Sequence, residues 1–174
     1  MKKRPLRTRY IAFAAVSVDG KISFEHTVPP DWTSKEDWDF LQKSLTRMDA
    51  AIVGRYTYRI AADRLRKRNT YVFSRRIRSI QRRGTVTFLN PTRVDVRDML
   101  SHRKTVAVLG GAGVYRYMLD HELMDELYLT IEPHLFGRGI DLFASGKRSV
   151  SLNLLSVRRL NRRGTLLLHY VINR

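Results

Sequence analysis

The chain has 174 residues, 43% of them hydrophobic, enough for one domain that buries roughly two thirds of its unfolded surface. It contains no cysteine, which excludes disulfide staples and thiolate metal sites. With 33 Lys and Arg against 16 Asp and Glu the formal net charge is +17, a field that attracts polyanions: nucleic acid, an acidic membrane surface or a multiply phosphorylated cofactor.

The opening stretch MKKRPLRTRYIAFAAVSVDG has a charged head and a short apolar run, as a signal peptide does, but Asp19-Gly20 breaks the run early. No stretch of about 18 apolar residues occurs, so the chain reads as soluble and cytoplasmic, with no membrane partner. Tyr10–Val16 is a strand candidate, followed by a polar segment ending in PPDW. From Ser34, Trp38, Leu41, Leu45 and Met48 recur at helical spacing, which predicts a helix to about Arg47. Ala50–Val53 reads as a second strand that ends at Gly54 and a helix start; Thr70–Ser74 and Thr85–Leu89 read as the next two. A helix over Asp95–His102, a strand over Thr105–Leu109, a helix over Val114–Leu119 and a strand within DELYLTIEP follow. The tail holds two β-rich runs joined around Asn161–Gly164, a hairpin signal. Strands alternating with helices predict one α/β domain: a mostly parallel sheet covered on both faces, with a C-terminal antiparallel hairpin at its edge. The basic clusters KKRPLRTR, RLRKR, SRRIR, QRRG and RRLNRRG sit mostly near predicted turns, which describes a solvated surface better than a binding stripe.

Three strand ends carry anion-binding chemistry. In VLGGAGVYRYML an apolar strand runs into Gly110-Gly111 and opens a helix near Gly113, presenting backbone N–H groups and a helix dipole beyond the strand's end. Glycines that only allow close helix-to-sheet packing are the structural alternative. The run does not match G-x-G-x-x-G, because Arg116 stands at the last position. In AIVGRYTYR, Gly54 again follows a strand, with Arg55 and Thr57 in the first helical turn, where a cation and a hydroxyl reach a phosphate. The strand over Thr70–Ser74 ends in Ser74-Arg75-Arg76. Together the three fit an NADP-type cofactor, with its pyrophosphate at two helix N-termini and its 2′-phosphate on Ser74 and Arg75.

The stretches YIAFAAVSVDGKIS, WTSKEDW, DAAIVGRYTY, YVFSR, VLGGAGVYRYML and DELYLTIEPHLFGRGIDLF, in this order, resemble the dihydrofolate reductase superfamily. The resemblance is closest to the branch that includes the reductase domain of the riboflavin-biosynthesis deaminase-reductase. It implies a three-layer α/β/α fold, NADPH as hydride donor and a small pterin-type or pyrimidine substrate beside the nicotinamide. Ala14 and Ala15 resemble positions whose backbone meets carboxamide and substrate ring, and Asp19, Gly20, Lys21 and Ile22 fall in the loop that closes over the nicotinamide, with Lys21 toward the substrate. Gly54, Arg55, Thr57, Ser74, Arg75, Gly110, Gly111, Ala112, Gly113, Val114 and Tyr115 resemble the cofactor-binding positions. Thr130 is similar to the threonine that supports the substrate-binding carboxylate.

That carboxylate falls on Asp37, with Glu36 next in line and Trp32 and Leu41 as substrate neighbours. Its family role is to hydrogen-bond the substrate's amino group and ring nitrogen and to help protonate the ring as hydride arrives. Asp37 also stands three residues after Ser34, where a capping box would turn it back to the backbone N–H of Ser34. Trp38 reads as core rather than as a stacking surface. The histidines His26, His102, His121, His134 and His169 show no metal-ligand spacing. The riboflavin branch carries a longer phosphate-binding segment after the second strand than GRYTYRIAADRLRKRNTYVFSR, although Arg64 and Arg66 could replace its grip. Dihydrofolate is therefore the first substrate expectation and the phosphoribosylaminopyrimidine of riboflavin biosynthesis the second. A basic nucleic-acid binder on an inactive reductase scaffold is the alternative from another class, and a homodimer is expected by analogy with the riboflavin branch.

Overall fold

The computed structural model describes residues 7–24, 31–146 and 149–173. His26, Pro29 and Pro30 of PPDW and much of the KKRPLRTR cluster lie outside them.

Strand β1 (Arg9–Ser17) alternates sides as its pleat requires: Tyr10 and Ala12 enter one core cluster, Ile11 and Phe13 another. Both clusters are dry because β1 is central, hydrogen-bonded in parallel to β7 (Thr105–Val108) and to β8 (Glu126–Glu132). Beyond β7 the parallel ladder continues through β3 (Ala50–Gly54), β4 (Thr70–Phe73) and β6 (Val86–Leu89). On the other side β8 pairs antiparallel with β11 (Leu166–Ile172), and β11 with β10 (Leu152–Arg159), the expected C-terminal hairpin.

Helices cover both faces of the parallel part. Helix α1 (Lys35–Leu45) packs Leu45, Phe40 and Leu41 against Ile11, Phe13 and Ala51, and α2 (Arg55–Leu65) buries Leu65 against Val53 and Val72. On the opposite face α3 (Val96–Leu100) and α4 (Ala112–Asp120) set Val96, Leu100 and Met118 against Ile52, Leu89 and Val106. Each fully buried side chain of this kind contributes about 1.5–3 kcal/mol.

Several boundaries differ from the sequence reading. Helix α3 is only Val96–Leu100: Asp95 caps its start by accepting from the N–H groups of Arg97 and Asp98, and Ser101 N–H closes its end on Asp98 O. Helix α4 opens earlier, at Ala112. The basic stretch SIQRRG is not all turn: β5 (Ile80–Arg83) is an exposed strand antiparallel to β6, without the apolar alternation that would have marked it. Strands β2 (Lys21–Ser23) and β9 (Ile140–Asp141) form a separate small sheet, too short to register as periodicity. Nor is the sheet covered everywhere, since all of β10 is exposed, with Leu154, Leu155 and Val157 at least half open. Among the described residues no helix is long and apolar enough to cross a membrane.

Candidate active site

The carboxyl ends of β3, β4 and β7 stop side by side, and α2 and α4 start at two of them. Their N-caps, Gly54 and Gly111, have no side chain to satisfy the first-turn N–H groups. Those amides border a cavity of about 600 Å³, a size suited to a cofactor with its substrate. Gly54 N–H donates to Gly110 O over 2.6 Å, which ties the two helix starts together. Gly110 has φ +87°, and a Cβ there would stand 2.9 Å from the Tyr115 ring, so both backbone and space demand glycine. At Gly113 a Cβ would meet nothing within 4 Å, which leaves its backbone open to a guest. Arg55 and Thr57 from α2, and Ser74 and Arg75 past β4, line the same cavity. Bare amides, two guanidinium groups and two hydroxyls form a donor set that fits the phosphates of NADPH.

The floor is built by β1, α1 and β8. Ala14 and Ala15 open a slot beside Asp37, whose Oδ1 accepts from the Thr130 hydroxyl over 2.5 Å. Tyr115, fully buried, donates its hydroxyl to Phe13 O over 2.5 Å and closes the rear wall. Burial raises the Asp37 carboxyl above its ordinary pKa; the Thr130 hydrogen bond opposes the shift and the nearby charge of Glu132 adds to it. The capping box is only half made. Ser34 Oγ accepts from Asp37 N at 3.3 Å, but Ser34 N–H donates to Glu132 Oε1 at 2.6 Å, not to Asp37. Asp37 therefore faces the cavity.

Ile22, Trp32, Leu41, Ala112, Val114 and Tyr115 also line the cavity. Gly20, Lys21 and Glu36 do not. Lys21 is drawn to Asp141 of β9 at 2.5 Å, and Glu36 is exposed and accepts from Asn161. Asp19 accepts from Ser17 Oγ and from the N–H groups of Phe136 and Gly137, which hold its carboxyl down at about 2. Trp38 is not core: it is half-buried, lines the cavity and carries the Arg64 guanidinium over its ring at 4.4 Å. Arg66 turns instead to Tyr58 and Asp63. Sequence reasoning missed Phe40 and Tyr128, which line the cavity, and Glu132, which takes the Ser34 N–H. Helical spacing marked α1 as amphipathic without telling core from cavity, and nothing local distinguishes Glu132 from a solvated strand end.

The family model described as the RibD C-terminal domain matches residues 9–166. No curated protein sequence matches the chain. Among solved structures, a pyrimidine reductase-like protein from Corynebacterium diphtheriae is similar at 17% identity and TM-score 0.78, covering 96% of this chain and 92% of that one. A diaminohydroxyphosphoribosylaminopyrimidine deaminase/5-amino-6-(5-phosphoribosylamino)uracil reductase from Thermotoga maritima is similar at 16% identity and TM-score 0.71; 96% of this chain matches, spanning 57% of that protein. Dihydrofolate reductase from Enterococcus faecalis complexed with NADP(H) is similar at 21% identity and TM-score 0.65, covering 95% and 97% of the two chains. At such identities the structures show the fold, and the family match favours the riboflavin branch over the dihydrofolate expectation. The chain belongs to the RibD C-terminal domain family, built on the dihydrofolate reductase-like fold.

Proposed function

We propose that the protein is an NADPH-dependent reductase that acts on a phosphoribosylaminopyrimidine of riboflavin biosynthesis. The observation that carries this reading is one cavity in which two uncapped helix N-termini stand opposite a buried carboxylate held by Thr130. When bound there, NADPH supplies a hydride. The amides of α2 and α4 would hold its pyrophosphate, and Ser74 and Arg75 its 2′-phosphate. The protein's own work is to position and to exclude water. The slot at Ala14 and Ala15 lets a flat heterocycle lie against β1, and Tyr115 seals the wall behind it. Asp37, with its raised proton affinity, would hold a proton near the substrate nitrogen beside the carbon to be reduced. Arg64, over the Trp38 ring beside the cavity, suits a substrate phosphate.

Dihydrofolate is the second reading, favoured by one observation: an acid on the first helix, paired with a strand threonine, suits the amino group and ring nitrogen of a pterin. The test is to mix the protein with NADPH and either substrate and follow the nicotinamide absorbance. The first reading predicts faster turnover of the phosphoribosylaminopyrimidine, and preference for dihydrofolate overturns it. Self-association through the exposed edge β10, work in the cytoplasm and salt-sensitive, non-specific nucleic-acid binding by the basic surface complete the proposal.

A further inference from the structure

We propose that Glu132 is a positioning residue that frees Asp37 for the cavity by taking over the other half of its capping box. Asp37 is the third residue of α1, and Ser34 is its N-cap. In that position a carboxylate ordinarily turns back to accept from the N-cap N–H. Here Glu132, arriving at the end of β8, accepts that N–H through Oε1 at 2.6 Å. With its usual partner occupied, Asp37 turns to Thr130 instead.

Glu132 is itself held. It is 2% exposed, and its Oε2 accepts from the Thr165 hydroxyl at 2.6 Å. Thr165 is fully buried, and its hydroxyl accepts from Asn161 Nδ2 at 2.9 Å, in the turn of the β10–β11 hairpin. Asn161 Nδ2 also reaches Glu36 Oε2 at 3.2 Å, in the first turn of α1. A chain of hydrogen bonds thus runs from the closing hairpin through Glu132 to the start of α1. A carboxylate this deep costs stability unless its oxygens are satisfied, and both are. An apolar residue at 132 would fill the same space but leave Ser34 N–H without an acceptor. Asp37 is within local reach to supply one, and would leave the cavity to do so.

Glu132 also acts through its charge. Among the described residues the titratable groups that face Asp37 are Glu132 from β8 and Tyr115 from α4, while β1 presents the uncharged Phe13, Ala14 and Ala15. Among these described neighbours no cation offsets the second carboxylate, which therefore helps Asp37 to keep its proton.

The inference rests on Asp37 serving the proposed reduction, but its test does not need turnover. The full chain, labelled with 13C at the Asp carboxyl carbons, is titrated without ligand, the Asp37 signal being assigned by its loss in Asp37→Asn. In the parent Asp37 titrates above the ordinary carboxylate range. In Glu132→Gln the amide oxygen still accepts from Ser34 but the charge is gone, and the midpoint falls. In Glu132→Ala it falls further, because Asp37 now accepts from Ser34 N–H. A crystal structure of that variant then shows Asp37 off Thr130. With substrate, Glu132→Ala lowers kcat on the order of a hundredfold at unchanged NADPH affinity, and Glu132→Gln restores most of it. An Asp37 still on Thr130 in Glu132→Ala overturns the positioning role, and an Asp37 midpoint unchanged in Glu132→Gln overturns the contribution of charge; should the Ala variant not fold, the same crystal structure of Glu132→Leu, which fills the space but offers Ser34 no acceptor, decides. Absence of NADPH oxidation with both substrates would sink the reductase reading and leave this titration untouched.

Discussion

The Thr130 hydroxyl reaches Asp37 Oδ1 across 2.5 Å, joining the middle of β8 to the first turn of α1. A single donor satisfies one oxygen, leaving the other for whatever enters the cavity. The carboxylate is thus buried enough to bind a proton tightly and open enough to use it.

Replacing Asp37 by Asn keeps the shape and an acceptor for Thr130 but removes the proton-holding group. Turnover should fall by about 10²–10⁴, the range of general acid catalysis. NADPH affinity, measured by fluorescence titration, should hardly change. An unaltered rate would return Asp37 to a purely structural role.

The same substitution should alter stability in the opposite sense. The native Asp37 carboxyl titrates above its unfolded value, so the folded chain binds the proton more tightly and loses stability as pH rises between the two values. Asp37→Asn removes that penalty. Its melting temperature should exceed the parent's at pH 8, and the difference should shrink as the buffer is taken down toward pH 4. A pH-independent difference would mean that the Asp37 carboxyl titrates in the folded chain as it does in the unfolded one.

Arg75 stands past the end of β4, beside buried Ser74, on the rim of the cavity. A guanidinium there suits a phosphate monoester and contributes nothing to a bare hydroxyl. Arg75→Ala should raise the Kd for NADPH about tenfold and leave that for NADH nearly constant. Calorimetric titration of both cofactors decides, and an unchanged ratio would place the 2′-phosphate elsewhere.

Gly110 tests the cradle itself. Alanine there meets both a positive φ and the Tyr115 ring 2.9 Å away. Gly110→Ala should cost about 1–3 kcal/mol in denaturant unfolding. Gly113→Ala, with nothing within 4 Å of its new methyl group, should melt close to the parent and weaken NADPH binding instead.

Much of the fold could be read from the chain because its strongest signals are local. The dry strands around β1, β3 and β7 are continuous apolar runs, as parallel strands covered on both faces must be. What escaped was set by tertiary partners. Strand β5 exists because β6 offers it an edge, not because Ile-Gln-Arg-Arg favours extension. The cavity's glycine border was legible in Gly54, Gly110 and Gly113, since each closes or follows an apolar strand where a helix starts. The direction of Asp37 was not legible: Ser34 and Asp37 spell a capping box, and the residue that overrides it lies on a distant strand. Lys21 failed for a similar reason, since its partner Asp141 is 120 residues away along the chain.

The bond from Gly54 N–H to Gly110 O has one more consequence. It rivets two rows of amides at a separation chosen by the backbone and not by the guest, so the cradle works as a caliper. Two linked anionic groups of the right span can engage both rows at once, whereas a lone phosphate must leave one row idle.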